Sequence, residues 1–92
     1  MTSQSATVVN PLGMHARAAA RFVQAAGRFA ARVRVARGGR EVDGKSILGL
    51  LLLAAARGST IVISAEGPDE ALAVTTLCRL VADSFGEATT CA

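Results

Sequence analysis

The stretch from Phe29 to Arg37 limits what this chain can fold into more than any other. Phe29, Ala31, Val33 and Val35 point one way, and Arg32 and Arg34 point the other. A period of two is the signature of a strand with one face in a core and one in water. Gly38-Gly39 follows as a tight hairpin turn, and residues 40–43 return as a short strand whose Glu41 and Asp43 can pair with the arginines opposite. A half-wet antiparallel hairpin of this kind belongs to a sheet covered by helices on one face only.

The rest of the pattern fits that architecture. Residues 1–5 are polar and read as frayed, and 6–9 as a short strand. Residues 10–14 form a loop punctuated by Pro11 and Gly13. Residues 16–26 read as a helix, with Ala19, Phe22, Val23 and Ala26 on one face, Arg17, Arg21 and Gln24 on the opposite one, and Gly27 as its stop. Ser46 is placed to N-cap a second helix from 47 to about 56, ended by Gly58. Residues 60–65 form a β-branched strand. Gly67-Pro68-Asp69-Glu70 opens a third helix that runs to about residue 84 and buries Val74, Leu77, Val81 and Phe85. The predicted class is α+β in the order βαββαβα, a four-stranded antiparallel sheet with three helices on one face. The 92 residues are read as one domain, with a core of about 5–86 and a tail of 87–92.

Composition narrows the function. Apolar residues make up 51% of the chain and aromatics 3%, so the core is built from Ala, Val, Leu and Ile. So small a volume leaves little room for a deep substrate pocket and favours surface chemistry or partner binding. The net charge of +3 is spread over scattered arginines without Trp, Tyr or a basic run, which fits an acidic protein partner and not a nucleic acid. Cys78 and Cys91 form no metal spacing, and with no signal peptide they read as a reducing cytosol. The longest apolar run, 47–56, is too short to span a bilayer. Gly39 to Ser46 fits the G-x-x-x-x-G-K-[ST] expression for a phosphate-binding loop. Glu41 and Asp43 inside it would repel phosphates, and the segment is better used as the second arm of the hairpin.

His15, the single histidine, stands where the first loop ends and the first helix begins. Free backbone N–H groups and the positive end of the helix dipole favour an anion there. Arg17 adds fork-shaped cationic donors. A lone histidine carries no chemistry by itself. The conjunction of loop, histidine, helix start and arginine suits a ring that holds a phosphoryl group.

Three segments carry a family resemblance. Leu12-Gly13-Met14-His15-Ala16-Arg17 resembles the active-site motif of HPr, the phosphocarrier family of the bacterial phosphoenolpyruvate-dependent phosphotransferase system. Gly44-Lys45-Ser46-Ile47-Leu48-Gly49-Leu50 is similar to its regulatory-serine segment, and Gly67-Pro68-Asp69-Glu70-Ala71-Leu72 to the stretch before its last helix. The resemblance implies the open-faced sandwich. It implies that enzyme I phosphorylates His15, on Nδ1, and that His15 passes the group to enzyme IIA. The protein is then a transfer intermediate rather than a stand-alone enzyme. His15 and Arg17 are the reacting pair, with the phosphate received at Ala16 and Arg17. Ser46 is the regulatory phosphorylation site where the host carries HPr kinase/phosphorylase. Partners dock on Ile47, Leu48, Leu51 and Leu52 beside His15, rimmed by Arg17, Arg21 and Gln24, while Leu50 and Leu53 turn inward.

No cofactor, metal, nucleic acid or membrane insertion is expected, and the chain is expected to be a cytoplasmic monomer. Ala18 stands where the family usually has Pro, and Gln24 and Gly27 stand where it is often basic. Sugar uptake and a regulatory, nitrogen-type relay both remain open. The competing reading is a non-catalytic regulatory binding module acting through Ser46 and the apolar helix 47–53. His15 with Arg17 speaks against it.

Overall fold

The computed structural model describes residues 1–86. Its elements run β1 (Thr2–Thr7), α1 (Ala16–Ala26), β2 (Arg32–Arg37), β3 (Arg40–Asp43), α2 (Ile47–Leu52), β4 (Thr60–Glu66) and α3 (Glu70–Ala82), closed by a 3-10 turn at Ser84–Gly86. The four strands form one antiparallel sheet in the order β1-β4-β2-β3. This is the α+β open-faced sandwich expected from the alternation, with the helices packed on the sheet's inner face.

The register explains the two faces. Val33 pairs with Ala65 and Val35 with Ile63, and all four are buried along with Ile61. Against them lie Ala19, Phe22 and Ala26 of α1, Leu50 and Leu53 around α2, and Val74, Leu77 and Val81 of α3. Each large side chain so covered contributes about 1.5–3 kcal/mol. The opposite face carries Arg32, Arg34 and Ser64. There Ser3 and Ser64 share a hydroxyl hydrogen bond of 2.9 Å, and Arg34 meets Glu41 at 3.3 Å. Asp43 turns instead to accept the Lys45 backbone N–H at 2.9 Å.

Four boundaries differ from expectation, each for a physical reason. The first strand covers Thr2–Thr7 rather than 6–9, because edge pairing with β4 needs backbone groups and no apolar alternation. The second strand begins at Arg32 rather than 29. The Ala30 and Ala31 N–H groups go to the Asp69 carboxylate at 2.9 and 2.8 Å instead of to a strand. The second helix stops at Leu52 rather than near 56, and Ala54 takes a left-handed backbone with φ of 51°. The third helix stops at Ala82; Ser84 and Phe85 are both left-handed, and they fold the Phe85 ring into the core rather than along the helix.

The segment from Gly39 to Ser46 is not a phosphate-cradling loop. Its middle is β3, and Gly44 donates to the Val33 carbonyl at 2.8 Å. Cys91 and the tail 87–92 lie outside the described residues. Among the described residues, no helix is long and apolar enough to cross a membrane.

Candidate functional site

The loop before α1 is held from below. Val8, Asn10 and Met14 are buried, while Leu12 projects into solvent. The Asn10 side-chain amide donates to the Gly13 carbonyl at 2.7 Å, and the Gly13 N–H donates back to the Asn10 carbonyl at 3.1 Å. Gly13 has φ of 65°. A Cβ there would stand 2.6 Å from the Ala55 carbonyl oxygen and 2.9 Å from the Ala56 Cα, so only glycine lets the loop lie this close to the chain that follows α2. Next to it, the Met14 N–H donates to the Ala55 carbonyl at 2.8 Å. These contacts fix the backbone that carries His15.

His15 is itself the N-cap of α1. Its backbone is extended (φ −85°, ψ 178°), and its carbonyl accepts the first helical bond from the Ala19 N–H at 2.9 Å. Its Nδ1 accepts the Arg17 backbone N–H at 3.3 Å. Asn, Asp, Ser and Thr are the usual residues to cap a helix this way; here an imidazole nitrogen takes the place of an oxygen. Nδ1 therefore presents its lone pair toward the helix start, and in the neutral ring the proton sits on Nε2. The ring is half-exposed, and the Arg17 side chain lies in solvent beside it. Ala18 is fully buried and α1 is continuous through it, so the helix forms without the proline usual at that position.

The other expected site residues divide. Ile47, Leu48, Leu51 and Leu52 are 41%, 69%, 37% and 60% exposed, while Leu50 and Leu53 are buried, the partition read from the sequence. The Met14–Ala55 bond ties the segment behind this patch to the loop carrying His15. Gln24 is exposed. Arg21 is half-buried, and its guanidinium donates to the Phe85 carbonyl at 3.0 Å, so it is turned to the end of the fold rather than presented as a rim charge. Ser46 is the N-cap of α2, its Oγ accepting the Gly49 N–H at 3.1 Å.

Sequence reading missed two connections. Asp69 caps no helix with its side chain. Its carboxylate serves the Ala30 and Ala31 N–H groups, and these bonds, that of Ala30 first, hold it below the ordinary carboxylate range. Arg37 and Arg40 donate to the Leu53 and Leu52 carbonyls at 3.1 and 2.8 Å. Their position flanking the Gly-Gly turn was visible in the sequence, but their carbonyl partners were not.

Comparison with known proteins agrees with this construction. The family model described as the PTS HPr component phosphorylation site matches residues 2–83. The phosphocarrier protein HPr of Cupriavidus necator is 47% identical over 87 residues, covering 95% of this chain and 98% of its own. The crystal structure of HPr-C-His from Thermoanaerobacter tengcongensis superposes with a TM-score of 0.91 at 38% identity, covering 96% of this chain and 99% of that one. Crh, the Bacillus subtilis catabolite repression containing protein, solved as a swapped dimer, is 38% identical with a TM-score of 0.74, over 91% of this chain and 97% of that one. Fold and motif order define the class, the open-faced sandwiches that present a histidine at the start of the first helix. Within that class the chain belongs to the HPr family, the phosphocarriers of the phosphotransferase system.

Proposed function

We propose that His15 accepts a phosphoryl group from enzyme I and hands it to an enzyme IIA domain. The observation that carries this reading is the aim of Nδ1 at the Arg17 N–H. In the transfer, the Nδ1 lone pair attacks phosphorus, an N–P bond forms and the bond to the donor breaks. The proton on Nε2 stays in place. The Arg17 N–H, released from Nδ1, meets a phosphoryl oxygen together with the Ala16 N–H and the Arg17 guanidinium. A helix terminus stabilises an anion by about 0.3–2 kcal/mol. That is enough to hold the group and too little to trap it, which suits a carrier. The rest of phosphoryl-transfer catalysis is positioning and charge stabilisation, to which donor and acceptor proteins contribute.

Partners dock on Ile47, Leu48, Leu51 and Leu52, with Arg17 and Gln24 at the rim. Ser46 is the site of regulatory phosphorylation where an HPr kinase/phosphorylase is present; a dianion there would replace its bond to the Gly49 N–H and add negative charge to the docking face. The chain works as one domain in the cytoplasm and as a monomer.

The test is incubation with enzyme I and phosphoenolpyruvate, read by intact mass with His15→Ala alongside. One phosphate on the wild type only, lost in acid and kept in base, is the expected result. No label from an enzyme I that phosphorylates its own partner would overturn the reading and leave regulation through Ser46 in its place.

A further inference from the structure

The far end of α2 carries a charged groove that the transfer reading does not use. Arg37 and Arg40 are direct partners across the β2–β3 hairpin. Like charges placed so are destabilising in a ladder. Each guanidinium spends one N–H on a carbonyl, Arg37 on Leu53 and Arg40 on Leu52. A carbonyl partner leaves the formal charge uncompensated, and four of the five N–H donors on each side chain remain to be used. Among the described residues, neither guanidinium meets a carboxylate; the nearby acids are engaged elsewhere, Glu41 with Arg34 and Asp43 with the Lys45 N–H.

Between these two side chains lies an open groove of about 540 Å³, walled by Arg37, Gly38, Gly39, Arg40, Leu52 and Ala54. No acid lines it. One wall, Leu52, is also a member of the apolar patch on α2. The groove therefore continues that patch and ends it in positive charge.

From this we infer that the Arg37–Arg40 groove is a receptor for acidic side chains on the protein that docks on α2, a carboxylate cluster adjoining the partner's apolar contact. The inference rests on the reading of the 47–52 patch as the docking face. Capping two carbonyls needs no charge, since a neutral amide donates as well. Two facing cations beside an apolar patch are explained by a partner that brings the counter-charge. Planar guanidinium forks also suit bidentate capture of carboxylates. Rim charges of this kind act mainly on encounter rate and salt dependence.

The test measures the affinity of unphosphorylated enzyme I by titration, so that it does not depend on transfer to His15, which is scored separately by mass. Arg37→Gln/Arg40→Gln keeps an N–H donor for each carbonyl and removes both charges. Arg37→Lys/Arg40→Lys keeps the charges. Thermal melting of each variant reports the fold. The expected result is Kd raised about tenfold by the Gln pair at low salt, a smaller loss for the Lys pair, and convergence near 1 M salt, where the Debye length is about 3 Å. Equal affinity of wild type and Gln pair would overturn the inference. So would equal, salt-independent losses in the Gln and Lys pairs, which would reduce the two arginines to a clamp on α2, and so would failure of the wild type to bind.

Discussion

Replacing Gly13 by alanine tests whether the His15 loop is wedged against the chain after α2. Two costs add at this position. The first is conformational: a left-handed alanine costs about 1–2 kcal/mol, less the roughly 0.4–1 kcal/mol gained by restricting the unfolded chain. The second is steric. With its Cβ 2.6 Å from the Ala55 oxygen and 2.9 Å from the Ala56 Cα, the new methyl meets backbone that cannot rotate away. The loop must lift by several tenths of an ångström, which overpacks the contact for about 1–3 kcal/mol and weakens the 2.8 Å bond from the Met14 N–H to Ala55. Gly38 supplies the control. It has nearly the same φ, 61°, and a Cβ there meets nothing within 4 Å. Gly38→Ala carries the conformational cost alone, about 0.5–1 kcal/mol. The expected difference between the two variants is about 2 kcal/mol, a gap of roughly 8–16 °C in Tm for a domain of this size. Urea unfolding monitored by circular dichroism, with equal slopes required, gives the same comparison as a gap of roughly 0.7–2 M in midpoint. Equal destabilisation of the two variants would refute the wedge and with it the account of how His15 is positioned.

Two further outcomes follow from the caps and the acid-base contacts. Ser46→Ala removes the bond to the Gly49 N–H and should cost about 1 kcal/mol in urea unfolding, whereas Ser46→Asp keeps the cap and should remain close to wild type. The Thr2 hydroxyl first, then the terminal ammonium and the Gly67 N–H, hold the Glu70 carboxyl down at about 2 from its ordinary 4.5. A depressed carboxylate stabilises the fold above its unfolded value, and that contribution is lost as pH falls from about 4.5 through 2. Unfolding midpoints taken across that window should drop less steeply for Glu70→Gln than for wild type, and parallel curves would remove Glu70 from the account.

Much of this was legible because it depends on local periodicity. The alternation of Val33 and Val35 with Arg32 and Arg34 forecast the sheet's two faces, and α1 fell at Ala16–Ala26 as read. The partition of α2 into buried Leu50 and Leu53 and exposed Ile47, Leu48, Leu51 and Leu52 followed from its excess of apolar residues. What escaped is tertiary. The polar strand β1 has no hydrophobic pattern to announce it, since edge pairing to β4 is a backbone matter. The early end of α2 depends on carbonyls claimed by Arg37, Arg40 and the Met14 N–H, none of them close in sequence. Asp69 reads as a helix-opening acid and is in fact the anchor of residues 30–31, thirty-eight positions away at the nearer contact. The helix start at His15 was visible, but its Nδ1 acting as the cap needed coordinates.

That cap has a further consequence for recognition. If the nitrogen that caps α1 becomes bonded to phosphorus, as proposed, the helix loses that terminator and the new phosphoryl oxygens would take over the Arg17 N–H. On the proposed function, α1 would start at the same residue with and without the phosphoryl group. A partner would then distinguish a full carrier from a spent one by the charge at His15 rather than by a change in α1. The Arg17 amide proton, which would change acceptor between the two states, is the natural place to watch the exchange.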